Sequence, residues 1–335
     1  MKVCIFGVGA IGGHLGAKLC AAKKTEVYAV ARGTQLDAIR KSGLTLKSGS
    51  EEFHGRPEAA TDDPGTLPRQ DVVIVTLKAH ALPSVAAAVE QLLAPTGVAV
   101  FPLNGLTWWW RYGDKARQGP LPLLDPQHEL WNRLRERALG CVAYSPNYVI
   151  SPAVVWNIGT SRWVIGEPSG ENTQRVQTVV ERLNASGLRA EVSRDIRGEI
   201  WRKFSSNVWS NPLGAITRLN QGQVTASPDV KQVAAGLMRE TLEIAAAMGW
   251  DLRSEIDVEK QLSSRPAGPP AAATGPVIPP SMLQDVLAGR SLEVEAHLGQ
   301  LQAFAREYRV GTPTLDVVLP LLRGLDQSIR QAAAR

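Results

Sequence analysis

The stretch KVCIFGVGAIGGHLGAKL, residues 2–19, decides the fold. After Lys2 its first residues are continuously apolar, the composition of a strand buried on both faces. Glycines follow at Gly7, Gly9 and Gly12, and from Ala10 onward Ile11, Leu15 and Leu19 recur at helical spacing. A second apolar run, EVYAVAR (26–32), closes a β-α-β unit. Further outward, DVVIVTL (71–77) and GVAVFPL (97–103) add two more buried strands of the kind a parallel sheet requires. The pattern predicts an α/β fold whose N-terminal part is a doubly wound parallel sheet of the Rossmann type.

The glycines carry chemistry because of where they stand. In G-x-G-x-x-G the first glycine permits a tight turn and the second lets a pyrophosphate approach the backbone. The third lets helix and strand pack closely, so the helix N-terminus faces the anion. Gly7, Gly9, Ala10, Ile11 and Gly12 are therefore candidate cofactor-binding residues. At the end of the second strand, where an NAD site would carry a carboxylate for the ribose hydroxyls, the sequence has Arg32. A guanidinium pairs with a 2′-phosphate, so the expected cofactor is NADP(H). Lys78 in TLKAH and Asn104 in PLNGL follow the next two strands, where the loops of such folds line the nicotinamide end. Taken singly, Lys78 also reads as a solvated loop lysine and Asn104-Gly105 as an ordinary turn pair.

Beyond LRAEVS (188–193) the strand pattern stops. GCVAY (140–144), AVVWNIG (153–159) and RWVIGE (162–167) read as strands and 171–186 as a helix. Helical spacing then predicts helices over 195–210, 228–248, 253–263, 281–308 and 313–333. The expected organisation is a cofactor-binding domain over 1–194 and an all-helical domain over 195–335. The stretch 264–280, SRPAGPPAAATGPVIPP, reads as a loop by composition.

Within the first of those helices, EIWRKFSSNVWSNP (199–212) sets Ile200, Trp201, Phe204, Val208 and Trp209 on one broad apolar face. Lys203, Asn207 and Asn211 recur every four residues along its edge. That stripe is either a solvated seam or the working edge of a site.

Composition narrows the partners. The 335 residues, 44% hydrophobic and 21% charged, suit two globular domains. A net charge of +5 is spread without a basic block, which argues against nucleic acid and for a small anionic ligand. Three cysteines without metal spacing indicate a reduced, cytoplasmic protein, and no histidine pair has ligand spacing, so no metal is expected. No run approaches the roughly 18 to 20 apolar residues of a membrane span.

The combination GVGAIG, ARG, TLKAH, NGL, IWRKFSSNVWSNPLGAIT (200–217), PSMLQDVLAGRSLEVEAHLG (280–299) and GTPTLDVV (311–318) resembles ketopantoate reductases (2-dehydropantoate 2-reductases) in order and spacing over nearly the whole chain. The resemblance implies NADPH-dependent reduction of a 2-keto acid, ketopantoate to pantoate, on the way to pantothenate. It implies Lys203 and Glu293 as catalytic residues, Lys203 being the general acid and Glu293 a substrate or cofactor contact. Asn207, Asn211 and Ser281 become substrate contacts, and Lys78 and Asn104 line the nicotinamide end, Asn104 touching substrate too. The chemistry fits, since hydride addition to a ketone builds charge on oxygen that an ammonium stabilises and then protonates.

Two features depart from the family pattern. Residues 107–131 are long and aromatic, and Trp108, Trp109 and Trp110 cannot all face one side of a regular element, so at least one is expected at the surface or on a lid; the segment reads either as a packed insertion or as a lid that enlarges or reshapes the pocket. Around Glu293, LEVEAHLG replaces the family's frequent TEIDYING, with Leu292, Ala296 and Leu298 in place of polar or aromatic neighbours. Both bear on the substrate rather than the reaction. The competing readings are a paralogous reductase of another 2-oxo or imino acid and a catalytically silent NADP(H) sensor. The apolar C-terminal helix is compatible with a homodimer.

Overall fold

Twelve strands and twelve α-helices are assigned among the residues that the computed structural model describes, 1–114, 117–263 and 279–334. In chain order the first part runs β1 (Lys2–Phe6), α1 (Ala10–Ala22), β2 (Glu26–Val30), α2 (Gly33–Ser42), β3 (Leu44–Ser48), β4 (Glu51–Gly55), β5 (Ala59–Thr61), β6 (Gln70–Val75), α3 (Ala86–Leu92) and β7 (Leu93–Pro102). It continues with α4 (Glu129–Leu134), β8 (Ala138–Tyr144), β9 (Asn147–Ser151), β10 (Val154–Asn157), β11 (Arg162–Gly166), α5 (Gln174–Ala185) and β12 (Ala190–Val192). Helices follow: α6 (Ile196–Thr217), α7 (Gln221–Ala226), α8 (Pro228–Ala247), α9 (Val258–Ser263), α10 (Ser281–Leu287), α11 (Gln300–Tyr308) and α12 (Pro313–Ala333). The chain forms two compact units, one of Met1–Leu103 with Thr107–Glu199 and a second of Asn104–Leu106 with Ile200–Arg335. The division falls inside α6.

The first unit is built on an eight-stranded sheet in the order β12-β11-β8-β7-β6-β1-β2-β5. Its pairings are parallel except β8 with β11. The chain leaves β1 for β2 on one side and returns through β6 to the other, so the order reverses at β1. Ligands of open α/β sheets bind at such a switch point, outside the carboxyl ends of the strands. Val3, Cys4, Ile5 and Phe6 are buried, as the continuous apolar run requires, and burial pushes the Cys4 thiol up to about 12.

A second, four-stranded sheet, β4-β3-β10-β9, stands beside α1; the sequence pattern predicts its β10, as AVVWNIG, but not the other three strands or the sheet they form. Its hairpin over 44–55 alternates buried Leu44 and Leu46 with more exposed residues around Gly49 at φ 60. That is a period-two signal, though a short one. A buried polar chain ties this sheet to α1. His14 Nδ1 and Asn147 Oδ1 lie 2.9 Å apart, and Asn157 Nδ2 donates to the same oxygen at 2.9 Å and to Ser161 Oγ at 3.1 Å. Burial pushes His14 down to about 4, with the Asn147 bond opposing and Lys18 adding to the shift.

The tryptophan cluster corrects the sequence expectation. Trp108, Trp109 and Trp110 are all buried, at 2%, 0% and 3% exposure, so none lies at the surface. The segment forms successive turns, Trp110 N–H to Thr107 O and Tyr112 N–H to Trp109 O, instead of a regular element. Consecutive indoles can then leave in different directions. Trp108 meets Phe101 edge-on at 5.2 Å between centroids, and Trp109 fills the space over Gly140, where a Cβ would stand 2.5 Å from the indole. Arg197 locks the segment by donating to the carbonyls of Trp110, Tyr112 and Pro168.

Among its described residues the second unit's regular elements are all helices, joined by turns and loops. Helix α8 packs on α7, α9, α11 and α12. Three helix expectations change. Helix α6 continues to Thr217 through Pro212 instead of ending near residue 210. Helix α9 starts only at Val258, where Asp257 accepts the Lys260 N–H and sets the first turn. The expected helix over 281–308 breaks after Leu287, with Gly289 at φ 64, and resumes through a π-helical turn, Glu295–Gly299. Most of the expected loop 264–280 lies outside the described residues. No helix among the described residues is long and apolar enough to cross a membrane.

Candidate active site

In the first unit the candidate residues gather where β1 and β6 end. Gly7, at φ 95, donates its N–H to Val30 O at 2.9 Å and accepts at its carbonyl from the Thr76 hydroxyl. A side chain there would meet Leu77 at 2.6 Å. At Gly12 a Cβ would stand 2.2 Å from Gly7 O, so the helix approaches the turn as closely as the motif demands. Gly9 behaves differently, because a Cβ there meets nothing within 4 Å. The protein itself gives no steric reason for glycine at this position. An approaching ligand does, and the cradle fits a pyrophosphate at a helix whose N-cap, Gly9, provides no side-chain cap and whose first turn has no acid.

Arg32 is exposed at the end of β2, as the N-cap of α2. Lys78 is half-buried and follows β6, capping a 3-10 turn over Ala79–Ala81. Ala10 and Ile11 open α1. One residue that sequence reasoning missed is Gln35, whose Nε2 donates to the Val8 carbonyl at 2.7 Å. Only the fold brings residue 35 back to the glycine turn, so no local signal marks it.

In the second unit the stripe on α6 is amphipathic as expected. Ile200, Trp201, Phe204, Val208 and Trp209 are buried, while Lys203 and Asn207 are half-buried. Lys203 Nζ donates to Asn104 Oδ1 at 2.7 Å, bringing together two residues 99 positions apart. The approach of Asn104 depends on its neighbours. Gly105 sits at φ 77 with its Cα against the π-helical turn, where a Cβ would lie 2.4 Å from Ala296 O, and the Leu106 N–H donates to that same carbonyl at 2.7 Å. The Asn-Gly pair is thus more than a turn, since its glycine allows a backbone contact that a side chain would block.

Asn211 is buried and already engaged. Its Oδ1 accepts from the Ser281 hydroxyl at 3.0 Å and from the Met282 N–H at 3.2 Å, binding α10 to α6. A backbone N–H can face only the amide oxygen, which fixes the orientation and leaves Nδ2 as the group able to meet a ligand. Glu293 is buried at 6% exposure and stands just before the π-helical segment, a local geometry frequent at functional sites. Its departing neighbours Leu292, Ala296 and Leu298 are buried at 4%, 3% and 0%, so these apolar replacements serve the core. His297, also buried, lies with its ring 5.9 Å from Phe204. Chemically, the second unit offers an ammonium held by a neutral acceptor, amide donors and a buried carboxylate.

Known proteins give this arrangement a family. The sequence matches "Ketopantoate reductase PanE/ApbA" over residues 3–109 and "Ketopantoate reductase PanE/ApbA C terminal" over 195–326. It is 35% identical to a 2-dehydropantoate 2-reductase of Mesorhizobium japonicum, spanning 97% of this chain and 98% of the relative. The structure resembles that of a Ralstonia solanacearum protein described as a candidate ketopantoate reductase, with a TM-score of 0.86, 30% identity and 98% of both chains covered. In fold it also resembles a D-mandelate dehydrogenase solved with NADH and anilino(oxo)acetate, with a TM-score of 0.79, 19% identity, and 98% of this chain and 100% of the other covered. The chain belongs to the ketopantoate reductase, or 2-dehydropantoate 2-reductase, family of NAD(P)-dependent oxidoreductases.

Proposed function

We propose that the protein reduces a 2-keto acid to the 2-hydroxy acid with NADPH, and that ketopantoate, the substrate in the relatives' name, is its substrate. The observation that carries this reading is the Lys203 ammonium held at 2.7 Å by Asn104 on the polar edge of α6. Asn104 accepts one ammonium proton and so fixes the direction of the others, one of which goes to the substrate's keto oxygen as charge develops there. Asn207, one turn along, and the Nδ2 of Asn211 donate to the substrate. The Ser281 hydroxyl, which donates to Asn211 Oδ1 here, serves the substrate carboxylate by turning its one proton from that oxygen to the ligand. Glu293, buried just before the π-helical turn, adds a carboxyl contact to the substrate or cofactor.

In the first unit Gly7, Gly9, Ala10, Ile11 and Gly12 hold the pyrophosphate, Arg32 pairs with the 2′-phosphate, and Lys78 lies toward the nicotinamide. Bound NADPH supplies the hydride. The reaction consumes one proton, which enters through Lys203, and the lysine recovers it from solvent. The exposed Arg32, in place of a carboxylate at the end of β2, supports NADPH over NADH.

Oxidation of NADPH and of NADH, followed with ketopantoate and with a panel of other 2-keto and imino acids, tests the reading. The expected outcome is fastest turnover with ketopantoate and NADPH. Rapid turnover of another acid beside a negligible rate with ketopantoate would reassign the substrate, and tight NADPH binding without turnover of any acid would leave a sensor.

A further inference from the structure

The peptide joining Val8 to Gly9 is gripped from one side. Gln35, in the first turn of α2, donates from Nε2 to the Val8 carbonyl at 2.7 Å and accepts at Oε1 from the Ala153 N–H at 3.1 Å. Both partners are backbone groups of fixed polarity, so they decide the orientation of the amide. Ala153 is itself anchored, buried at φ 63 with its carbonyl accepting the Thr45 N–H at 2.9 Å. Gln35 therefore braces the glycine turn against the second sheet.

A trans peptide is planar, and its C=O and N–H point to opposite sides. Holding the Val8 carbonyl toward Gln35 turns the Gly9 N–H away from it. That N–H has no acceptor among the described residues, and a Cβ on Gly9 would meet only open space. We infer that Gln35 is a positioning residue for the cofactor: it sets the Val8–Gly9 peptide so that the Gly9 N–H is presented to a phosphate oxygen of the dinucleotide. The inference rests on the reading that the glycine turn binds the dinucleotide. Because Arg32 lies three residues earlier, the same helix start carries both the group for the 2′-phosphate and the brace for the turn. The two act on different parts of the ligand.

Gln35→Met, neutral and of similar length, removes the donor. It is expected to raise KM about tenfold for NADPH and NADH alike, the loss of one hydrogen bond to the brace, with kcat at saturation within about twofold. Adenosine 2′-phosphate, which has no 5′-phosphate, is expected to bind this variant as it binds the unaltered protein. Gln35→Glu keeps the acceptor for Ala153 and can donate to Val8 only when protonated, so its defect at pH 8 should shrink toward pH 5. An unchanged KM in Gln35→Met overturns the inference. So does a defect confined to Gln35→Glu, which marks charge repulsion, or equal weakening of adenosine 2′-phosphate, which marks a displaced α2. Gly9→Val is the control on the underlying reading: undiminished NADPH binding there removes the dinucleotide from the turn, whatever Gln35 does.

Discussion

The glycine turn and the Lys203 edge are built in opposite ways. At Gly7, Gly9 and Gly12 the site is backbone, and the sequence contributes by leaving side chains out: a Cβ at Gly12 would stand 2.2 Å from Gly7 O. At Lys203 the site consists of side chains, brought together across 99 residues of chain and bonded to one another. The backbone region tolerates no side chain at Gly7 or Gly12, and on the proposed reading it meets only the shared part of the ligand. On the proposed reading the side-chain region sets the reaction and the selectivity, and each of its members can be removed singly.

Lys203→Ala is the largest test of that contrast. If Lys203 donates the proton as proposed, kcat should fall by about 100-fold or more while the Kd for NADPH, assigned to the other region, stays put. Parallel loss of both would join the two regions into one.

Arg32→Asp reverses the charge expected to meet the 2′-phosphate. It should raise KM for NADPH by at least about tenfold relative to NADH, with kcat little changed, and an unaltered NADPH-to-NADH ratio would take Arg32 out of the cofactor site.

Gly105→Ala asks whether the side-chain region also hangs on a backbone contact. The added methyl meets Ala296 O at 2.4 Å, in a left-handed conformation. Displacing Asn104 should cost roughly tenfold in kcat through misorientation of Lys203. Full activity in a stably folded Gly105→Ala would show that Lys203 needs no such support.

The smallest catalytic effect is expected at His14, behind the glycine turn. Burial holds its imidazole near 4 in the folded state, below the ordinary value of about 6.5. The folded state thus binds fewer protons than the unfolded one in that window. Stability is full above about pH 6.5 and falls as pH drops toward 4, by an amount on the order of 1–3 kcal/mol. His14→Gln should flatten the dependence of Tm on pH over this range with activity at neutral pH retained. An unchanged slope would assign the acid sensitivity elsewhere.

The glycine turn was legible because its causes are local. A strand, a left-handed turn at Gly7 and a helix beginning at Ala10 are set by neighbours within about a dozen residues. The amphipathic stripe on α6 was legible for the same reason, since a helix places every fourth residue on one edge. The tryptophans misled because side-chain direction was inferred from regular geometry, whereas 107–112 turn repeatedly and bury all three. The break after Leu287 was missed because the apolar spacing runs on while Gly289 takes a left-handed conformation. Of the second sheet only β10 was legible as a strand; β3, β4 and β9 are too short for a firm alternation, and the sheet itself escaped because β3 pairs with β10, more than 100 residues later in the chain.

Local spacing by itself determined the two kinds of region in this protein: a glycine turn between strand and helix near the N-terminus and a polar helix edge near residue 203. Tertiary structure alone decided their partners. It brought Asn104 to Lys203 through the Gly105–Ala296 contact, gave the oxygen of Asn211 to Ser281 and Met282, and set Gln35 behind the Val8 carbonyl. Periodicity reports which face of an element a residue occupies, but a hydrogen bond between distant residues depends on positions to a fraction of an ångström, and only the packed chain fixes those.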